Sequence, residues 1–211
     1  LLLYSELLME ETLPASAKAN VEALYKQSEK LRFLIDSLVK LSRLENGIIS
    51  LSPQQAALQP LLESVSEQYA AKASEKGLSL QLQDTDAFAV FDFKWTAEVL
   101  TNIIDNAIKY SGESVQIKIS SSASTDGYTH ISVTDNGMGI PLKEQGKIFE
   151  KFERASAVIR NRKEGASGFG LGLNYVLHVV EAHHGSVKLE SIEGEYSKFT
   201  INIPQHNGET A

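Results

Sequence analysis

The sequence predicts an α+β protein: an N-terminal antiparallel helical hairpin, then a two-layer α/β sandwich on a mainly antiparallel sheet. Three observations carry this. From Ala15 to Glu45 there is no Gly or Pro, and Leu24, Leu31 and Leu38 recur every seven residues, the repeat of a coiled-coil or bundle seam. Further on, runs such as LSLQLQ (Leu78–Gln83) and YTHISVTD (Tyr128–Asp135) alternate apolar with polar residues, the mark of half-buried strands. These strands and the helices among them do not alternate as repeated βαβ units, which argues for helices on one face of an antiparallel sheet.

In chain order, Leu1–Glu11 is apolar and helical in composition. Thr12 is placed as an N-cap, and Pro14 near the first turn of the next helix. That helix covers Ala15–Glu45. Leu34, Leu41 and Ile48 repeat in a complementary register, and Asn46-Gly47 stops it. Two helices with a short loop cannot bury both sides of such a seam alone. The hairpin either packs on its own C-terminal domain or dimerises into a four-helix bundle, and the homodimer is the expectation. Ser50–Leu58 is extended, with Pro53 suiting an edge strand. Pro60 opens an amphipathic helix through Lys76, and Gly77 closes it. Phe88–Asp92 is a short strand, and Asp92 is placed to cap a helix over Lys94–Tyr110. Val115–Ser120 and Tyr128–Asp135, joined near Asp126-Gly127, form a hairpin. A glycine-broken stretch from Asn136 to Gly172 leads into a helix over Leu173–His183. Ser186–Ser191 and Lys198–Pro204 are the final strands. The domains are therefore 1–48 (hairpin), 49–206 (sandwich) and a tail, 207–211.

The formal net charge of −7 argues against a nucleic-acid binder. With no Cys there are no disulfides or thiolate metal sites. No apolar run approaches the roughly 20 residues that span a bilayer. Leu1 stands in mid-pattern with neither an initiator Met nor a signal peptide, so the chain reads as a fragment of a longer one.

Chemistry concentrates in four stretches. In TNIIDNAIKYS (Thr101–Ser111), Asn102 and Asn106 lie four residues apart on one side of a helix. Buried amides without partners are costly, so the pair reads either as solvated positions or satisfied core amides, or as ligands. An amide oxygen is a neutral, hard ligand for Mg²⁺, which takes few protein oxygens beside phosphates and waters. Lys109, on the same side, is placed to meet a phosphate. VTDNGMGIP (Val133–Pro141) carries the Asn-Gly of a hairpin, but no alternating strand follows Pro141. Its second glycine, Gly139, suggests a flat ligand approaching the backbone. Asp135, at the strand end, is an acceptor for an exocyclic amine. SGFGLGL (Ser167–Leu173) opens a helix with Gly168, Gly170 and Gly172, freeing N–H groups where helices bind phosphate. Its spacing is neither the dinucleotide fingerprint nor a P-loop, and the Ser/Thr/Tyr kinase signature set is absent. In IFEKFERA (Ile148–Ala155), Phe149 and Phe152 read as core anchors and Arg154 as a group for a transferring phosphoryl. The loop that comes next, with Arg160, Arg162 and Lys163, has the length of a lid. His178, His183 and His184 share one helix, but 178 and 183 do not share a face, and they read as surface or packing residues.

In this order, these motifs resemble the N, G1, F and G2 boxes of sensor histidine kinases of two-component systems. A weaker G3 box lies near Gly194, and KLSRLENG resembles the second helix of that family's dimerisation and phosphotransfer domain. The resemblance covers nearly the whole chain. It implies the ATP-binding sandwich shared with gyrase, heat-shock chaperones and mismatch-repair ATPases, with ATP and Mg²⁺ as cofactors. It implies that Asn106 holds Mg²⁺, Asn102 lies near the terminal phosphates, Lys109 contacts phosphate and Tyr110 lines the adenine pocket. Asp135 would bind the adenine amine and Gly139 the ring edge, with Gly137 and Ile140 beside them. Arg154 would face the γ-phosphate; with Asn102 it forms the expected catalytic pair. Gly168, Gly170 and Gly172 would hinge the lid, and Phe152, Leu171 and Leu173 complete the nucleotide contacts. The implied reaction moves the γ-phosphoryl of Mg·ATP to a histidine, then to an aspartate on a response-regulator receiver domain. It would run on the cytoplasmic side, with a bacterial membrane reached only through segments outside this sequence. Two departures stand out. Tyr196 replaces a second glycine of the third box. The H box is missing: LLLYSELL resembles the segment just after the family's H-E-L-R-T-P-L stretch, so the acceptor His is expected upstream of Leu1. The alternatives are a dimeric nucleotide-binding scaffold without phosphotransfer, and an ATP hydrolase of the same fold. In the hydrolases a glutamate that activates water stands where this chain has Asn102.

Overall fold

A computed structural model describes residues 2–11, 13–110, 115–153 and 169–206. The chain divides into two compact units, Leu1–Ile49 and Ser50–Ala211.

In the first unit a short helix, α1 (Leu2–Glu10), packs against a long one, α2 (Ala15–Glu45). Pro14 directly precedes α2, with no side chain capping its first turn; Thr12 lies outside the described residues. At its far end the Asn46 side-chain amide donates to the Ser42 carbonyl at 2.7 Å, and the Gly47 N–H turns back to Leu44 at 3.0 Å. The helix stops where the sequence says it should. Leu41 and Leu44 are buried, but Leu24, Leu31 and Leu38 are 56, 49 and 39% exposed.

Among its described residues the second unit has seven strands: β1 (Gln54–Ala57), β2 (Ser79–Leu82), β3 (Phe88–Phe91), β4 (Gln116–Ala123), β5 (Tyr128–Asp135), β6 (Ser186–Ile192) and β7 (Tyr196–Pro204). The helices among these residues are α3 (Gln59–Glu75), α4 (Phe93–Tyr110), the four-residue α5 (Leu142–Gln145) and α6 (Gly172–Ala182). Five strands form one sheet in the order β2-β4-β5-β7-β6, antiparallel except for β2 against β4. The remaining two, β1 and β3, pair with each other and not with that sheet, where the sequence predicts a single sheet. The reason is local: β3 meets β5 through a side chain, the Thr129 hydroxyl donating to the Phe88 carbonyl at 2.7 Å, so no backbone ladder continues across. The short α5 escapes prediction because four residues cannot display a helical period.

The alternation of β5 sorts its faces. Thr129, Ile131, Val133 and Asp135 are buried, while His130, Ser132 and Thr134 are partly open on the other side. Against the buried face lies α4, whose Val99, Leu100, Ile103, Ile104 and Ile108 meet the sheet layer that holds Ile117, Ile119 and Ile201. α4 also packs on α3 and α6. Its start is tied down twice. The Asp92 carboxylate accepts from the Trp95 N–H at 3.3 Å, as an N-cap, and from the Ser52 N–H at 3.0 Å. The Asp92 N–H donates to His183 Nε2 at 3.0 Å, and His183 Nδ1–H donates to the Val179 carbonyl at 2.7 Å. Burial holds the His183 pKa below its usual value and the ring neutral. The packing role read from sequence is the one it has.

Candidate functional site

Helix α4 presents Thr101, Asn102, Asp105, Asn106 and Lys109 as a half-buried polar flank beside its apolar face. The two amides differ in their commitments. Asn102 donates from Nδ2 to the Glu98 carbonyl one turn back, at 2.8 Å, which turns its Oδ1 outward. Asn106 makes no such side-chain bond among the described residues. Glu98, the carboxylate closest in sequence before Asn102 on this helix, accepts from the Tyr175 hydroxyl at 2.5 Å. Burial, and after it the bond to Glu98, push the Tyr175 pKa up.

The glycine-rich stretch brings α6 to Asn102. A Cβ on Gly172 would lie 2.9 Å from Asn102 Oδ1, so a side chain there would force the Asn102 amide to shift. Among the described residues no side chain caps α6, and its first turn holds no acidic residue. Its leading N–H groups are left to an anion. Leu171 is buried and Leu173 half-buried at this end, and Asn174 donates to the Phe149 carbonyl at 2.8 Å.

Asp135 ends β5 with its side chain buried. One carboxylate oxygen accepts from the Gly137 N–H at 3.0 Å. Burial raises its pKa to about 6, and the Gly137 N–H only partly offsets this. A buried carboxylate with so little support is placed to accept a further donor.

Three expectations change in detail. Gly139, read as making room for a flat ligand, is required by the chain itself. It has φ +61, and a Cβ there would stand 2.0 Å from the Ile192 carbonyl oxygen. The loop after Asp135 is docked on the β6–β7 turn: the Ile140 N–H donates to Ser191 Oγ at 2.8 Å, the Gly194 N–H to Met138 at 2.8 Å, and Gln145 Nε2 to the carbonyls of Ile140 and Ser191. Phe149 is the anchor it promised to be, edge-on to Phe199 at 6.5 Å. Phe152 is not: it is 59% exposed with φ 67, because its N–H must reach the Gly170 carbonyl at 2.9 Å. Gly170 is equally cramped, a Cβ there lying 2.5 Å from the Glu153 carbonyl oxygen. Lys109, expected to point at a phosphate, is paired with Asp105. Burial raises the Asp105 pKa, but Lys109 and Lys72 together bring it below its usual value. Tyr110 is half-buried at the end of α4, Gly137 is buried and Ile140 half-buried. Arg154 and Gly168 lie outside the described residues.

Sequence reasoning missed Ser191, Gln145, Glu98, Tyr175 and Lys72. Lys72 and Glu98 sit in ordinary polar helix positions, and Ser191 in a strand, so no local pattern announces them.

The donor set suits a magnesium-bound polyphosphate: a neutral amide oxygen beside a helix start whose N-cap residue makes no side-chain cap bond. Among the described residues no helix is long and apolar enough to cross a membrane.

Residues 92–207 match the family model of histidine kinase-, DNA gyrase B- and HSP90-like ATPases. An adaptive-response sensory kinase, SasA of Crocosphaera subtropica, is 33% identical over 174 residues, 81% of this chain and 44% of that protein. The sensor-like histidine kinase SenX3 of Mycolicibacterium smegmatis is 29% identical over 92% of this chain and 50% of its own length. The chain thus spans about half the length of the curated relatives it matches. Among solved structures, full-length ShkA in complex with AMPPNP superposes with a TM-score of 0.80 at 26% identity, covering 96% of this chain and 42% of that one. The histidine kinase AdeS of Acinetobacter baumannii gives 0.73 at 25% identity, over 95% and 90%.

Proposed function

The chain belongs to the family of histidine kinase-, DNA gyrase B- and HSP90-like ATPases, and on that premise we propose that it is the ATP-binding catalytic portion of a sensor histidine kinase. Its activity is transfer of the γ-phosphoryl of Mg·ATP to a histidine outside this sequence, for relay to a response-regulator aspartate. The observation that carries this over hydrolysis is the pairing at Asn102. An amide has no basicity to activate water at neutral pH, and the carboxylate one turn away, Glu98, is engaged by Tyr175. A triphosphate seated here waits for a better nucleophile.

In this reading Asp135 accepts the adenine amine, and the loop that holds Gly137, Gly139 and Ile140 walls the ring. Tyr110, Phe152, Leu171 and Leu173 line the nucleotide. The N-terminus of α6, with Gly168, Gly170 and Gly172, takes the phosphates. Asn106 would hold Mg²⁺, which would supply positive charge against the phosphates. Asn102 and Arg154 flank the terminal phosphoryl, and Lys109 meets a phosphate. Catalysis is then positioning and charge stabilisation. The uncovered leucines of α2 support a homodimer through the hairpin.

The test is transfer in trans. The chain is mixed with a separate helical hairpin that carries a phosphoacceptor histidine, and with labelled Mg·ATP. Label is expected on that histidine. ATP binding and mixed-dimer formation without label would leave a nucleotide-binding scaffold instead, and label lost to phosphate at a comparable rate would indicate a hydrolase. Asn106→Ala is expected to weaken Mg·ATP binding about tenfold or more while sparing adenosine, since it removes a metal ligand and nothing else.

A further inference from the structure

Asp105 stands between the two asparagines in sequence, yet the nucleotide site leaves it without a task. Its side chain is only 20% exposed, and each of its oxygens has its own lysine. Oδ1 takes the ammonium of Lys72, which reaches over from α3; Oδ2 takes that of Lys109, one turn along α4. The three groups together carry one positive charge.

If Lys109 is to contact a phosphate, it must leave Asp105. A lone Asp105–Lys109 pair would resist that, because a largely buried carboxylate stripped of its partner costs far more than an exposed ion pair returns. Lys72 removes the obstacle. It is anchored on the other oxygen and on a different helix, and its ammonium lies over the Tyr69 ring, 5.2 Å from the ring centre. We propose that Lys72 is a positioning residue for the nucleotide: it keeps Asp105 paired, so that Lys109 moves its ammonium from that carboxylate to a phosphate oxygen without stranding a charge. Asp105 then parks Lys109 in the empty site, and Lys72 lets it go. This rests on the reading that Lys109 meets a phosphate.

The experiment measures Mg·ATP and adenosine affinities of the 211-residue chain by calorimetry. Lys72→Met is expected to weaken Mg·ATP about three- to fivefold, the effect of one partly exposed ion pair, with adenosine unchanged. Lys76→Met is the control. Lys76 lies four residues on, just past the end of α3, carries the same charge and also ties that end to α4, donating to the Ile108 carbonyl at 3.1 Å, but bonds a backbone group and not Asp105. It should leave the ratio of the two affinities alone. With Asp105→Asn also present, Lys72→Met should have no effect, since there is no carboxylate to hold. Equal losses from the Lys72 and Lys76 variants, or a Lys72 effect that persists beside Asp105→Asn, would overturn the proposal in favour of a diffuse positive field. Lys109→Met separates the two readings. If it leaves Mg·ATP affinity unchanged, the phosphate contact itself fails; if it weakens binding while Lys72→Met does not, only the inference fails.

Discussion

Leu31 of α2 and Ile104 of α4 belong to apolar stripes of helical period, yet Leu31 is 49% exposed and Ile104 fully buried. The difference lies in what surrounds each helix. α4 is met by α3, by α6 and by the sheet. Among the described residues of its unit, α2, with 31 residues, is met by one other helix, α1, with 9; at about 1.5 Å per residue that is roughly 14 Å of cover for 46 Å of helix. A stripe of given strength in sequence therefore says that a surface will be buried, not that this chain supplies the cover. The sandwich closes its own core, and the hairpin leaves its leucine stripe exposed.

Ile104→Ala tests the closed half most severely, with an expected loss of about 3–5 kcal/mol in urea unfolding of the second unit. Leu31→Ala should cost well under 1 kcal/mol there, but should weaken self-association in analytical ultracentrifugation. An unchanged association constant would break the comparison, because the seam would then have no partner. Gly139→Ala comes next, at about 2–4 kcal/mol, since backbone atoms of the β6–β7 turn stand where the methyl must go. Asp135 sharpens the comparison from inside the sandwich. Its pKa is raised to about 6 in the fold, so its contribution to stability is complete below about pH 4 and is lost as pH rises through about 6. At neutral pH the ionised group costs at most about 3 kcal/mol. Asp135→Asn should flatten that part of the stability–pH curve while weakening Mg·ATP, and wild-type affinity should itself fall as pH drops below about 6. A pH-independent difference between the two proteins would mean that the carboxylate is not the cause. The smallest effect is at His184, which holds φ 57 just past α6. His184→Gly should raise thermal stability by about 0.5–1 kcal/mol by relieving a left-handed backbone.

Much of this was readable in advance, and the reasons differ by element. α2 could be bounded because Pro14 and Asn46-Gly47 punctuate an otherwise uninterrupted helical pattern. The hairpin β4–β5 followed from alternation around Asp126-Gly127. Asn102 and Gly172 were named from motif spacing alone, and the fold brings them together. What stayed hidden depends on contacts across long stretches of chain. Ser191 meets Ile140 from 51 residues away and Lys72 meets Asp105 from 33, distances at which a one-dimensional pattern carries no geometry. Phe152 misled for a related reason. Its spacing from Phe149 is that of a core pair, but the backbone bond to Gly170 decides its direction.

The Ser191 hydroxyl accepts from Ile140 and donates to the Tyr196 carbonyl at 2.7 Å. It therefore makes the loop beyond Asp135 contingent on the last hairpin of the chain. Every motif residue from Asn102 to Leu173 precedes Ser186 in sequence, so each is synthesised before the hairpin that holds that loop. Contacts of such long sequence separation form late in folding. A chain cut short before β6 would thus carry the stretches from Asn102 to Leu173 and still lack the hairpin on which the loop beyond Asp135 is docked.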